Sequence, residues 1–307
     1  MFLQNEHFSG IGKKVDVPDN FKDDSVTVCV TSFPPRENNL KLCIDSLYKQ
    51  ADLICVYLND YIKIPDFLKK PNIITYLSSD YINLSANGKI FFLDAITNGY
   101  IFTVDDDIIY PSDYVSKCIQ CIQKYNREAA VCVHGSIFPE TFNWYYERTA
   151  IFPYQSSLIR DTFVHLPGSG SFSFHKNTLP CCQEQFLPLT MVDLTFAILC
   201  RINQVPLVCI ERPQGWLTIT EPDGLYQIFT NKITHHTRYA KQYVPWSFED
   251  YSRYTLKLVN KLLDEGIDPE DLDEEFIQDK HNKKLVGGKW DHTSRSNIIG
   301  SNVGIDS

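Results

Sequence analysis

Three consecutive aspartates, Asp105, Asp106 and Asp107, stand in the stretch FTVDDDIIYPSDY, directly after one apolar run and before an apolar pair. Burying like charges this close together costs several kcal/mol each unless a cation compensates. No Lys or Arg stands beside them in the chain, so the expected compensation is a cation from outside it. In a strand, residues i and i+2 point the same way. Asp105 and Asp107 are therefore expected to share a face, with Asp106 on the other. Two carboxylates at a strand end form a hard oxygen site suited to Mg²⁺ or Mn²⁺, ions that keep positions for water and phosphate oxygens. The competing explanation is a solvated acidic turn, but such a turn needs no apolar residues on both sides.

The elements that must position these aspartates read as alternating strands and helices. Continuous apolar runs predict strands over 26–33 (VTVCVTSF), 53–59, 73–78, 100–104, 130–133 and 205–210. Helical spacing predicts helices over 37–50, 90–97, the segment after YPSD with Ser112 as its cap, and 191–203. Strands that are apolar throughout, separated by helices, indicate an α/β fold with a mainly parallel sheet buried on both faces. Ligands of such sheets bind beyond the carboxyl ends of the strands. Residues 32–36, Asp60 and the three aspartates all stand at such ends and are expected to face one crevice. Residues 247–265 and 270–279 read as helices, and the tail from Lys280 as loosely ordered. The expected organisation is an N-terminal extension (1–24), one domain (25–245), C-terminal helices (246–279) and a tail (280–307).

Composition narrows the function. The chain has 307 residues and a formal net charge of -9, with no basic stripe to favour nucleic acid. It has no apolar run long enough for a membrane span and no secretory leader pattern at its start. Its ten cysteines fall mostly in apolar runs and are expected to be reduced core thiols. Cys118 and Cys121 form a single CxxC without the second ligand pair that zinc requires.

The stretch GYIFTVDDDIIYPSDYV, taken with VTVCVTSFPPR, resembles the nucleotide-sugar-dependent glycosyltransferases of the GT-A fold over roughly residues 25–240. More narrowly it resembles bacterial family-2-like enzymes that build capsule or lipopolysaccharide glycans. The resemblance implies a nucleotide pocket lined by Thr31, Ser32, Pro34 and Arg36, with Asp60 at the base or ribose. It puts Asn87, Gly88 and Lys89 near the nucleotide or its phosphates. Asp105 and Asp106 would face the donor, and Asp105 and Asp107 the metal, Mn²⁺ or Mg²⁺. It implies a general base in the second half, matched by Asp193 in LTMVDLTFAILCRIN, although many relatives have two adjacent acids where this chain has Val192-Asp193. As an alternative, Asp193 only complements a helix dipole. The loop Gly168, Ser169 and Gly170 would border donor sugar and acceptor. Trp216 either stacks on a sugar or belongs to the core. His235 or His236 would add a metal ligand or be satisfied structurally. Residues 220–233 would close over the donor, with Lys232 and Arg238 neutralising the diphosphate.

The implied activity is transfer of a sugar, with inversion, from a nucleotide-diphosphate donor, UDP-linked by preference, to a glycan or lipid-linked oligosaccharide acceptor. The implied setting is cytoplasmic, touching the inner membrane or other assembly enzymes. Two alternatives stay open. A sugar-nucleotide pyrophosphorylase normally carries a Gly-rich basic loop where this chain has TSFPPREN. A non-catalytic glycan- or nucleotide-binding module would keep the pocket without a working base.

Overall fold

The computed structural model describes residues 15, 17–18, 20–186, 189–220 and 235–246. Its strands are β1 (Val26–Ser32), β2 (Leu53–Leu58), β3 (Ile73–Leu77), β4 (Tyr100–Val104), β5 (Ile108–Ile109), β6 (Ala130–Cys132), β7 (Gly135–Ile137), β8 (Ala150–Phe152), β9 (Thr162–Phe163), β10 (Leu166–Pro167), β11 (Ser171–His175), β12 (Leu207–Cys209) and β13 (Thr218–Ile219). The helices are α1 (Glu37–Leu47), α2 (Tyr114–Lys124), α3 (Val192–Ile202) and α4 (His235–Lys241).

Eight strands form one sheet in the order β3-β2-β1-β4-β11-β6-β12-β9. β3, β2, β1 and β4 run parallel, as do β6 and β12. β11 lies between β4 and β6, antiparallel to both. The expected α/β architecture, with a mainly parallel sheet flanked by helices, is what forms. β1, β2 and β4 are apolar on both faces because both are covered: Val28, Val30, Ile54, Val56, Phe102 and Val104 are all fully buried. Leu40, Cys43, Ile44 and Leu47 are the buried stripe of α1, and Val115, Cys118 and Ile122 belong to that of α2. Two small sheets complete the fold, β10-β7-β8 and β13-β5.

Two local expectations are corrected. Residues 90–97 are not an α-helix. Ser85–Ile90 is a 3-10 segment, continued by i→i+3 bonds such as Leu93 N–H to Ile90 O (3.2 Å). Ile90, Phe91, Phe92, Leu93 and Ile96 are all buried, and only Asp94 and Thr97 of this segment are exposed. Ser112 is not the cap of α2. Asp113 takes that position, without a side-chain capping bond. The aspartates follow β4 in a turn before β5, at the expected strand end.

All ten cysteines are free thiols, and all but Cys182 are buried. Among the described residues, no helix is long and apolar enough to cross a membrane. The described residues fall in one compact unit ending at Trp246. The helices expected over 247–265 and 270–279, and the tail, lie outside the described residues.

Phe172 of β11 stands opposite Thr103 of β4 and Cys132 of β6. Its ring lies 4.4 Å from that of Phe196 on α3. It thereby fixes the helix that carries Asp193 against the strand that leads to the aspartates. Phe172→Ala is expected to lower the unfolding free energy by about 3–5 kcal/mol, measured by urea denaturation.

Candidate active site

The carboxyl ends of β1, β2 and β4 lie side by side, and Arg36 beyond β1 reaches the aspartates beyond β4. Thr31 is held at the end of β1 by Asn59, whose Nδ2 donates to its Oγ1 (2.9 Å). Asn59 Oδ1 accepts from Leu84 N–H (3.0 Å), and its Nδ2 also reaches Ser85 O (3.1 Å). These bonds lay the Ser85–Ile90 segment flat on β1 and β2. The approach demands glycine at 88, because a Cβ there would strike Thr31 Oγ1 and the Tyr57 ring. Ser32 is buried and Pro34 exposed. Asp60, just past β2, lines an open cleft with Tyr61, Ile62, Ser78, Ser79 and Asn83. Asn83 Nδ2 donates to its carboxylate (2.7 Å).

The flat segment delivers Lys89 to the aspartates. Lys89 is buried, and its Nζ bonds Asp105 Oδ1. Burial opposes its charge, yet Asp105, then Asp193 and Asp106, outweigh that and raise its pKa. Arg36, which immediately precedes α1, covers the other two. Its Nη1 lies 2.8 Å from Asp106 Oδ1 and 3.3 Å from Asp107 Oδ2. The expectation of an entirely external counter-charge is therefore corrected. Two cations remote in sequence supply part of it.

The alternation expected of a strand persists in the turn. The Asp106 side chain is 4% exposed, against 42% for Asp105 and 24% for Asp107. Burial pushes the Asp106 carboxyl up, and Arg36 pulls against it. Asp107 is raised to about 6, by burial first and then by the charge of Asp105. Tyr110 braces the turn. Its hydroxyl accepts from Asp105 N–H (3.0 Å) and donates to Gly170 O (2.5 Å).

The loop 168–170 closes the far side. Thr103 Oγ1 donates to Ser169 O (2.7 Å), and Ser169 N–H donates to Asp193 Oδ1 (2.9 Å). Asp193 stands in the first turn of α3, held over the loop and within electrostatic reach of Lys89 and His134.

A cation fits this donor set. The ion pairs engage Asp105 Oδ1 and Asp107 Oδ2. Asp105 Oδ2 and Asp107 Oδ1 have no partner among the described residues. Burial first, and then repulsion from Asp105, raises Asp107, and a divalent ion would relieve that repulsion. Gly170 lies against the first of these oxygens, where a Cβ would overlap Asp105 Oδ2.

The family model described as Glycosyl transferase family 2 matches residues 27–178. Residues 27–178 are a glycosyl transferase family 2 domain. The region matched runs from β1 to just beyond β11 and takes in Arg36, Lys89 and the aspartates, but not Asp193. Among solved structures, the mannosyltransferase PcManGT from Pyrobaculum calidifontis, in complex with GDP-Man and Mn²⁺, is similar at a TM-score of 0.44 and 11% identity. That similarity covers 72% of this chain and 64% of the mannosyltransferase chain, less than two thirds of its length. No curated protein sequence matches this one.

Asn87, Trp216 and His236 are engaged inside the fold. The Asn87 amide is used inside the fold, donating to Phe186 O (2.7 Å) and accepting from Thr190 N–H (2.8 Å). Trp216 belongs to the core: it is 9% exposed, packs beside Tyr114 and donates to Asp113 Oδ1 (3.0 Å). His236 is buried on α4, with Nε2 at 3.1 Å from Thr190 O. Burial, then His235, lowers its pKa to about 4. Among the described residues no three His, Cys, Asp or Glu side chains gather as a metal cluster. Arg238 is exposed on α4. Lys232 and residues 221–233 lie outside the described residues.

Two residues at the site were not anticipated. His134 follows β6, and Tyr154 follows β8. His134 had one legible signal: a lone polar ring just beyond the apolar run 130–133, at a carboxyl strand end like the aspartates. Tyr154 had none.

Arg36→Met leaves Asp106 buried without its cation. The expected result is a loss of about 3–5 kcal/mol in unfolding free energy at pH 8. Burial has raised the Asp106 pKa, so the loss shrinks as pH falls and that carboxyl takes up a proton. Denaturant midpoints at pH 8 and pH 5 measure both effects.

Proposed function

We propose that this chain is a divalent-cation-dependent transferase that moves a sugar from a nucleotide-diphosphate donor to an acceptor hydroxyl, with inversion. The observation that carries this reading is the pair of carboxylate oxygens on Asp105 and Asp107 that the ion pairs leave unengaged, one of them against a glycine where a Cβ would overlap it, backed by two buried or half-buried cations. Asp105 and Asp107 would hold Mn²⁺ or Mg²⁺. A metal there supplies Lewis-acid stabilisation to the departing diphosphate.

The chain's own residues do the rest. Thr31, Ser32, Pro34 and Arg36 border the nucleotide, and Asp60 in its open cleft meets the base or ribose. Lys89 holds Asp105 in place and keeps a positive charge beside the diphosphate. Gly88 lets its segment lie close enough to put it there. Asp106 anchors Arg36 from below. Asp193, oriented by Ser169 N–H, takes the proton of the acceptor hydroxyl as it attacks the anomeric carbon. The antiparallel loop 168–170 walls off the sugar. A bimolecular transfer of this kind gains most from such fixed placement.

A UDP-sugar donor, a glycan or lipid-linked oligosaccharide acceptor, and a role in bacterial surface polysaccharide synthesis follow from the sequence resemblance. So does a cytoplasmic position at the inner membrane beside other assembly enzymes. These belong to the proposal.

Nucleotide release from UDP-, GDP- and CDP-sugars, with Mn²⁺ and a mixed glycan acceptor pool, tests the reading. Turnover with one nucleotide class supports it, and none with any class refutes it. Within it, Asp193→Asn is expected to lower kcat roughly 10²–10⁴-fold while donor affinity stays unchanged. Equal loss of both would remove Asp193 as the base. Gly170→Ala is expected to weaken Mn²⁺ binding by roughly tenfold or more, read by calorimetry. An unchanged affinity would move the ion away from Asp105.

A further inference from the structure

The sheet sets an order along the crevice. Asp60 and Thr31 stand at β2 and β1, the aspartates at β4, the loop 168–170 before β11, and His134 just after β6. β6 is two strands past the aspartates, on the side away from β1 and β2. If the nucleotide lies over β1 and β2 and the diphosphate at β4, His134 borders what lies beyond the transferred sugar.

His134 is built into this wall. Its carbonyl accepts from Gly168 N–H (2.8 Å), which ties it to the loop whose next residue orients Asp193. Its ring lies beside Tyr154, with centroids 6.1 Å apart. The Tyr154 hydroxyl in turn feels Asp107 and Asp105. Nδ1 of His134 is buried without a partner, and the residue as a whole is half-buried. Burial lowers its pKa against the pull of Asp193, and Arg212 and Arg148 add to the lowering. A neutral imidazole has one donor and one acceptor nitrogen, and a hydroxyl can pair with either.

We infer that His134 binds a hydroxyl of the acceptor adjacent to the one Asp193 deprotonates, so that the acceptor is a sugar presenting a vicinal diol, with Tyr154 as the wall beside it. This rests on the transferase reading above. The proton of the attacking hydroxyl goes to Asp193, the new glycosidic bond forms at that oxygen, and the nucleoside diphosphate leaves. His134 holds the neighbouring hydroxyl throughout and exchanges no proton.

The test uses p-nitrophenyl hexosides as acceptor probes, with the nucleotide sugar that the wild-type chain turns over. The best hexoside is compared with the two monodeoxy analogues flanking the glycosylated position. His134→Ala is expected to raise the acceptor KM about tenfold, with kcat within roughly threefold and donor Kd unchanged by calorimetry. One monodeoxy acceptor should suffer a similar loss in wild type and no further loss in His134→Ala. His134→Gln, which retains a hydrogen-bonding side chain, should recover part of the KM for the parent acceptor. Wild-type KM in both variants overturns the inference. So does an equal loss on the parent and both deoxy acceptors, or a weakened donor Kd, each of which marks a packing role. Wild-type chain that binds no nucleotide sugar overturns the transferase reading itself, and this inference falls with it.

Discussion

The site depends on how three adjacent carboxylates are kept ionisable in a half-buried turn. Lys89 takes Asp105 and Arg36 takes Asp106 and Asp107. Asp106 is the structural member of the set, buried and anchored, and the outer two keep an oxygen each for a ligand. The compensation is incomplete by design of the geometry. Asp107 is still raised to about 6 by burial and by Asp105, so the donor-free turn retains a demand for positive charge. An arrangement fully neutralised from within would bind no cation, and one with no internal partner would carry the whole desolvation cost in the free protein.

Everything else positions those partners. β1 and β4 are adjacent and parallel, which brings the ends of both strands to one crevice and sets Arg36 over the turn. Asn59 and Gly88 press the 3-10 segment onto the sheet, and Lys89 rides on it. β11 enters antiparallel beside β4, so the loop before it, and not the end of a strand, faces the aspartates. That reversal places Ser169 N–H where it can hold Asp193. The Phe172–Phe196 contact then couples the helix that bears Asp193 to the same two strands.

Much of this was legible in the sequence, and the limits have physical causes. β1, β2 and β4 are continuous apolar runs because they are buried on both faces, α1 and α2 show helical spacing because each buries a stripe, and α3 is apolar nearly all round because most of its surface is buried. The turn of three aspartates was legible as chemistry. Its internal cations were not, because Arg36 lies 70 residues from Asp106 and Lys89 lies 16 from Asp105, separations that only the sheet order closes. SFSFH has the alternation of a strand, but insertion between β4 and β6 is decided by long-range pairing. Trp216 and His236 carry amphipathic rings that suit a ligand site or a core equally, and packing assigned both to the interior. Asn87 reads as a polar loop residue, yet the neighbouring backbone consumes its amide.

The most direct measurement is calorimetric binding of UDP-, GDP- and CDP-sugars to the full chain, with Mn²⁺ present and then with chelator. The account predicts binding of one nucleotide class that is lost on chelation and lost again in Asp107→Ala with Mn²⁺ present. Binding that is equally tight with chelator and in Asp107→Ala would contradict it, because the open carboxylate oxygens would then have no part in holding the donor.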